Sequence, residues 1–232
     1  MAERIAVTGA SGVVGAATVR SLLARGDAVV GVQRGTVPES LQRAGATGQS
    51  ADITGPIEEL QRAFIGCDAV VHAAARVDMT GPWEDFERVN VHGTRNVLQA
   101  ARLAGVRTFV MVSSPSVAHA GHPLVGAGAG RADPDRARSH YARSKAMAEL
   151  LALEADGLDL AVAVVRPHLV WGVGDSQLTA RIIDRARAGR LVVIGSGAAL
   201  IDTTYVDNAG YAIAAAVQRA HIDGVHGHPL VV

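Results

Sequence analysis

Tyr141-Ala142-Arg143-Ser144-Lys145 is a stretch whose residue types and spacing could do chemistry. Lys145 is the only lysine in the chain; every other basic side chain among the 22 Lys+Arg is arginine. The pattern predicts a helix over His140 to Glu154, with Tyr141 and Lys145, four apart, on one face. A free phenol, with a pKa of about 10, is a poor acid at neutral pH. A neighbouring ammonium favours the phenolate and lowers that value. Such a pair can give and take a proton in a carbonyl/alcohol interconversion. The competing reading is a partly buried tyrosine beside a solvated lysine, so the surrounding elements have to decide.

The first of those elements is a short apolar strand, Arg4 to Thr8, followed by Gly9-Ala10-Ser11-Gly12-Val13-Val14-Gly15 and a helical pattern to about Arg25. Glycines at this spacing, between a strand and a helix, suit a phosphate-binding turn. Gly9 allows the tight turn, Gly12 a close approach to phosphate, and Gly15 close packing of helix on strand. The helix N-terminus then faces a pyrophosphate. Ala28 to Gln33 reads as the second strand. An acid near its end would accept a ribose 2′-hydroxyl, but the segment is Val32-Gln33-Arg34-Gly35. Arg34 instead offers a fork of donors suited to a 2′-phosphate, which favours NADP(H), with NAD(H) the alternative.

Further along, strands and helices alternate. Pro38 to Ala44 reads as a short helix, Thr47 to Ala51 as a strand reaching Asp52-Ile53, and Ile57 to Phe64 as a helix. Ala69 to His72 is a strand followed by Ala73-Ala74-Ala75, small residues that let a flat ligand come close. His72 at its end reads as a structural histidine. Pro82 to Ala104 is a long helical stretch. Thr108 to Ser113 is a strand running into Ser114-Pro115-Ser116-Val117. Residues Ala118 to Ser139 lack a period, as a binding or mobile loop would. Its histidines, with His119, His122 and His140, show no metal-ligand spacing. After the Tyr141 helix come a strand from Leu160 to Arg166, Pro167-His168, and a loop at Gly172 to Asp175. A helix from Leu178 to Ala188, an extended piece from Leu191 to Ile194 and a strand from Ile201 to Tyr205 follow. A helix from Val206 to Ala220 and a strand opening at Pro229 complete the pattern. The expectation is an α/β protein: a Rossmann-like, doubly wound parallel sheet covered on both faces.

Composition narrows the function classes. The chain has 232 residues, 49% hydrophobic and 19% charged, enough for a sizeable core. Acids and Lys+Arg balance at 22 each, so no net charge draws it to nucleic acid or an anionic membrane. Cys67 is the single cysteine, which excludes an intrachain disulfide and suits a reducing, cytoplasmic setting. A strand pattern from about Arg4 leaves no room for a signal peptide, and no apolar run approaches the roughly 20 residues of a membrane span. With aromatics at 3%, the core has to be packed from small residues.

With these motifs in place the chain resembles an extended short-chain dehydrogenase/reductase. It is similar to the 3-beta-hydroxysteroid dehydrogenase-like branch of the NAD-dependent epimerase/dehydratase superfamily. The resemblance lies in Val89-Asn90-Val91-His92-Gly93-Thr94-Arg95-Asn96, Ser113 to Val117, Arg166 to Gly172 and Thr204 to Asn208, as well as the glycine loop and the Tyr141–Lys145 pair. Bacterial 2-alkyl-3-oxoalkanoate reductases carry similar stretches. The resemblance implies that Gly9, Ser11, Gly12, Val13 and Gly15 hold a pyrophosphate and that Arg34 sits at the adenine ribose. Asp52 and Ile53 would border the adenine, Ala73, Ala74 and Ala75 would line the way to the nicotinamide ribose, and Pro167 and His168 would flank the nicotinamide. Tyr141 would be the acid/base and Lys145 would hold the ribose and lower the tyrosine pKa. Ser114 rather than Ser113 would hydrogen-bond the substrate oxygen, and Asn90 would position helices. The implied reaction moves a hydride between nicotinamide and an apolar ketone or secondary alcohol, of 3-oxoacyl or 3-beta-hydroxysteroid type.

The resemblance also implies a cytoplasmic homodimer paired through the Pro82–Ala104 and His140–Glu154 helices. Residues 1–170 would form the dinucleotide-binding domain. Residues 171–232 would form a small, incomplete substrate-binding part whose last helix and strand return to the core. Ordinary cofactor affinity, poor substrate affinity and a mobile loop around Val125–Gly130 are expected of such a chain. Two other readings are weighed against this one. A sugar-nucleotide epimerase/dehydratase would need a second phosphate-binding cluster, and none is evident after Trp171. A non-catalytic NADP-binding regulator would have no use for both Tyr141 and Lys145.

Overall fold

The computed structural model describes residues 2–78, 80–119, 121, 124–175, 179–193, 195–222 and 225–232. Four strands in sequence are short apolar runs buried on both faces: β1 (Arg4–Thr8), β4 (Ala69–His72), β5 (Thr108–Val112) and β6 (Ala161–Arg166). Strands covered on both sides read as continuous Val/Ile/Ala runs because neither face meets water. With β2 (Ala28–Gln33), β3 (Thr47–Ser50) and β9 (Pro229–Val231) they form one parallel sheet in the order β3-β2-β1-β4-β5-β6-β9. The chain runs outward from β1 to β3, then crosses back to β4 on the other side of β1. That reversal makes a crevice at the carboxyl ends of β1 and β4.

Alternation along the strands feeds two cores. Ile5 and Val7 of β1 join Val71, Val110 and Val165 against Val19 and Leu22 of α1 (Val13–Ala24) and Ile213 and Val217 of α8 (Val206–Arg219). Ala6 joins Val70, Phe109, Met111 and Val164 on the opposite face. There they meet Leu60 and Phe64 of α3 (Ile57–Phe64), Val97 and Ala101 of α5 (Gly93–Leu103), and Ala148 and Ala152 of α6 (His140–Glu154). Small residues set the spacing. A Cβ at Gly210 of α8 would stand 2.7 Å from the backbone of Ala17 in α1, so the two helices touch nearly backbone to backbone. The short α2 (Glu39–Arg43) covers the sheet beside β2.

The stretch read as one helix from Pro82 to Ala104 begins as α4 (Trp83–Phe86), passes through a π-helical segment over Glu87–His92, and continues as α5. The wide turn sets Asn90 and Thr94 toward the sheet's carboxyl edge, and such segments occur often at functional sites. A second, two-stranded sheet pairs β7 (Leu169–Trp171) with β8 (Thr203–Tyr205). The sequence reading had no strand at 169–171 and began β8 two residues early, since three-residue strands carry too little period to be seen. Residues 191–193 take no strand conformation. The helix read from Leu178 is α7 (Thr179–Arg187), and it buries no side chain. Leu178, Ile194 and His122 lie outside the described residues. Among the described residues no helix is long and apolar enough to cross a membrane.

Candidate active site

The glycine loop occupies the crevice between β1 and β4. Gly9 takes φ +69°, and a Cβ there would lie 2.8 Å from the Cα and N of Ala74. Only a glycine lets the loop rest on the backbone that leaves β4. Thr8 ties the same two pieces, since its Oγ1 accepts from the Ala74 N–H at 3.3 Å. At Gly15 a Cβ would come 2.1 Å from the Gly9 carbonyl oxygen, so α1 is pressed directly against the loop. Gly12 differs: a Cβ would meet only the Gly9 oxygen, at 3.3 Å. Its open side faces the groove. Gly12 is also the N-cap of α1, and it leaves the helix's first-turn N–H groups without a capping side chain. Free donors at a helix start favour an anion.

The groove that opens from this loop holds about 670 Å³ and gathers most of the expected cofactor residues. Gly9, Ser11 and Gly12 form one wall, Gln33, Arg34 and Gly35 another, and Asp52, Ile53, Ala73, Ala74 and Ala75 the floor and far side. Gln33 is a strut: its Oε1 accepts from the Ser11 N–H at 2.9 Å and its Nε2 donates to Thr36 O. Arg34 is exposed at the rim and makes no ion pair with any described residue. The Asp52 carboxylate is engaged by the N–H and hydroxyl of Thr54, both at 2.8 Å. Asn96 of α5 donates to Ile53 O at 3.0 Å, and a Cβ on Gly93 would press on Ile53 at 2.8 Å. Gly15 is buried beneath the loop, and Val13, Lys145, Pro167 and His168 do not line the groove, nor do Ser114 and Tyr141. The His168 N–H donates to Val232 O at 2.9 Å, beside β9.

A dinucleotide fits this setting. The glycine cradle has room for phosphate where a side chain would project, the uncapped start of α1 faces it, and the Arg34 guanidinium, with no ion pair among the described residues, stands at the rim.

The other end of the site lies where β5 ends and α6 begins. Ser139 caps α6 by accepting from the Ala142 N–H at 3.1 Å, which fixes the first turn and with it Tyr141. Edge-on contacts of Trp83 and Phe86 with His140, and Arg143 over the Trp83 ring at 4.7 Å, clamp the same turn from α4. Ser114 caps the 3₁₀ turn Pro115–Ala118, and its Oγ lies 2.9 Å from Ser116 Oγ. Burial pushes the Tyr141 phenol above its ordinary value, and hydrogen bonding with the Ser114 side chain pulls the other way. The expected lowering by Lys145 is not what dominates here. The Lys145 ammonium is itself buried and donates to Val112 O at 2.6 Å. Burial lowers its pKa to about 8, against the charge of Glu149, which raises it.

His72 fits its structural reading. It is buried, with Nδ1 2.8 Å from Thr8 Oγ1 and Nε2 3.0 Å from Thr94 Oγ1. Burial first, and the Lys145 charge second, lower its pKa to about 3 and keep the ring neutral. Asn90 joins the two ends of the site. Its side chain accepts from the Arg76 N–H at 2.7 Å, donates to Arg76 O at 3.0 Å, and donates to Ser144 Oγ at 2.9 Å. Ser144, Glu149 and Arg166 went unremarked as individuals in the sequence. A lone acid in Ala-Glu-Leu-Leu-Ala and a lone base closing Ala-Val-Ala-Val-Val-Arg were the available signal, since buried charges need partners.

The sheet order and the groove at its switch point define a Rossmann-like protein with a dinucleotide-type crevice. Comparison with known proteins narrows this. A sequence model of the NAD dependent epimerase/dehydratase family matches residues 5–231, and the chain belongs to that family. It is 40% identical over 211 residues to a 2-alkyl-3-oxoalkanoate reductase of Stenotrophomonas maltophilia, covering 90% of this chain and 63% of that one. It is 34% identical to a 3-beta-hydroxysteroid dehydrogenase of Mycolicibacterium neoaurum, covering 88% and 58%. Among solved structures it is similar to a dTDP-glucose 4,6-dehydratase of Streptomyces venezuelae with NAD bound. The TM-score is 0.82 at 27% identity, covering 99% of this chain and 75% of that one. The chain thus spans about 54–65% of the length of the first three curated relatives.

Proposed function

We propose that the chain is the core of an oxidoreductase that moves a hydride between NADP(H) and an apolar ketone or secondary alcohol, of 3-oxoacyl or 3-beta-hydroxysteroid type. What supports this is Tyr141 on α6 one helical turn before a buried Lys145, whose ammonium donates to Val112 O at the end of β5, from which the chain runs on through Ser113 to Ser114. When bound, the nicotinamide supplies or accepts the hydride. Tyr141 gives the carbonyl oxygen its proton, and Ser114 donates a hydrogen bond to that oxygen as negative charge grows on it. Ser113 is unsuited to that role, because its Oγ donates to Glu149 at 2.6 Å. Lys145, freed from Val112 O, holds ribose hydroxyls, and its charge then favours the phenolate. Gly9, Ser11, Gly12 and the start of α1 take the pyrophosphate, with Asp52 and Ile53 at the adenine and Ala73 to Ala75 beyond. Pro167 and His168 flank the nicotinamide. The exposed Arg34, with no acid beside it on β2, supports NADP(H) over NAD(H).

The reductase and dehydrogenase relatives, at 34–40% identity, favour this reading over a sugar-nucleotide one, which the solved neighbours at 26–27% would suggest. Residues 1–170 serve as the dinucleotide domain and 171–232 as part of the substrate side. A homodimer through α5 and α6 goes with this reading, and the depression between these helices, where Leu98, Leu103 and Leu151 sit among Arg95, Gln99, Arg102 and Glu154, is the surface it would use. The test is a cofactor-oxidation screen of the purified protein against long-chain 3-oxo acids, 3-oxosteroids and sugar nucleotides, with NADPH and NADH. Turnover confined to sugar nucleotides overturns the reading. Light scattering at micromolar concentration tests the dimer.

A further inference from the structure

Arg166 and Glu149 are both fully buried, and neither belongs to the chemistry described above. Their pairing is forked: Arg166 Nε donates to Glu149 Oε2 at 3.0 Å and a terminal nitrogen to Oε1 at 2.5 Å. Two charges so deep need every donor and acceptor satisfied. Ser113 meets part of that need by donating to Glu149 Oε2 at 2.6 Å. The terminal nitrogens of the guanidinium also reach the loop, one of them the nitrogen that meets Glu149 Oε1. They donate to Ala129 O and, at 3.1 Å, to Gly130 O. These carbonyls belong to the irregular segment that leaves Ser114 and returns to Tyr141. Each buried partner is also a near neighbour of a proposed site residue: Ser113 of Ser114, Glu149 of Lys145 one turn back, Arg166 of Pro167.

The loop's return is docked on the same helix. Val117 and Ala132 pack on Ala146 of α6, and the Asp133 N–H donates to Val117 O at 2.9 Å. Ahead of the tie, the apolar side chains of Leu124 and Val125 stand exposed. We propose that Arg166, braced by Glu149, is a latch that holds the 124–133 segment against α6 and so sets the wall on which an apolar substrate lies. Arg166 and Glu149 are then positioning residues. The substrate half of this inference rests on the oxidoreductase reading; the latch itself does not.

Arg166→Lys keeps a charge for Glu149 but not the planar fork that reaches two further carbonyls. Hydrogen–deuterium exchange of the full chain should then rise in peptides covering 124–133 and stay unchanged in the glycine loop and β4. Unchanged exchange in 124–133, or a rise throughout the molecule, overturns the latch. Should Arg166→Lys fail to accumulate as folded protein, Gly130→Ala decides. Gly130 is exposed at φ +61°, outside the buried pair, and an alanine there displaces the carbonyl that Arg166 holds. A loop that exchanges no faster in that variant also overturns the proposal. In kinetics the ketone Michaelis constant should rise roughly tenfold while turnover and NADPH affinity change by less than about threefold, the split expected for lost substrate positioning. A loosened loop with an unchanged Michaelis constant overturns the substrate wall. Wild-type protein that reduces no ketone defeats the oxidoreductase reading and leaves the exchange result to judge the latch.

Discussion

At the glycine loop itself the polar groups belong to the backbone, and the ionisable side chains of the groove, Arg34 and Asp52 among them, stand at its sides. Around Tyr141, which lies outside the groove's lining, they are ionisable side chains, and Lys145, His72, Glu149 and Arg166 are all buried. The first end is held by close approaches that leave no room for a Cβ at Gly9 or Gly15. The second is held by pairing, with Thr8 and Thr94 on His72, Val112 O on Lys145, and Ser113 and Arg166 on Glu149. A site made of backbone fails when shape changes and is indifferent to pH. A site made of buried charges keeps its shape under small substitutions, but its protonation is set by burial and neighbours. Substitutions at the two ends should therefore fail in different ways.

The largest effect is expected where shape is tightest. Gly15→Ala puts a Cβ 2.1 Å from the Gly9 oxygen, and neither backbone atom can swing aside. We expect destabilisation above about 4 kcal/mol in urea unfolding, a size confined to broken packing. Gly12→Ala is the control at the same end. Gly12 has φ −69° and an open side, so the fold should stay within about 1 kcal/mol while NADPH binding is lost or greatly weakened. Ordinary NADPH affinity in Gly12→Ala would make the loop a packing turn and dissolve the contrast. At the other end Tyr141→Phe keeps the ring and removes the proton. Turnover should fall at least ~100-fold with folding and NADPH affinity intact. Near-normal turnover would remove Tyr141 from the chemistry. Lys145→Met should lower turnover and cofactor affinity together.

The two ends were also unequally legible in the sequence. Gly9, Gly12 and Gly15 could be assigned roles from spacing alone, because a strand, a turn and a helix start fix where each backbone goes. The strands β1, β2 and β4 and the helices α3 and α6 stand at the residues that their patterns mark, for the same reason. Tyr141 and Lys145 were visible as a pair. Their environment was not, because it is made by residues far away in sequence: the Val112 carbonyl that takes the Lys145 ammonium, and His72 nearby. Spacing suggested that Lys145 lowers the tyrosine pKa, whereas burial of the phenol outweighs any such effect in the folded chain. Glu149 and Arg166 are 17 residues apart and meet only because β6 lies beneath α6. Short pieces were hidden as well. β7 has three residues, and the π-helical segment around Asn90 has the composition of an ordinary helix.

A smaller effect separates the rim from the cradle. Arg34 is exposed, so its removal should leave the fold alone. Loss of a hydrogen-bonded charge pair with a 2′-phosphate should raise the Michaelis constant for NADPH about tenfold and leave that for NADH nearly unchanged. If both constants move equally on Arg34→Ala, the residue is ordinary surface and cofactor choice lies elsewhere in the groove.

A pH series tests whether the charged end carries the pH dependence that its construction implies. Burial, aided by the Lys145 charge, lowers His72 from its ordinary 6.5 to about 3. In the unfolded chain the ring protonates near 6.5. Between those values the unfolded chain holds the extra proton, so stability falls as pH drops through that window. The slope for one proton is at most about 1.4 kcal/mol per pH unit, and the contribution is constant above the window, where the ring is neutral in both states. Lys145 has its window on the other side. Lowered from 10.5 to about 8, it leaves the unfolded chain with the extra proton from about 8 to 10.5, so stability rises with pH there. His72→Gln keeps a donor and an acceptor for Thr8 and Thr94 but cannot titrate. Urea unfolding at pH 7.5, 6 and 5 should give wild-type and variant stabilities whose difference is steady near neutrality and shifts toward the variant as pH falls. A difference that stays constant down to pH 5 would mean that His72 titrates alike in both states. The contrast between a backbone-built end and a charge-built end would then lose its clearest consequence.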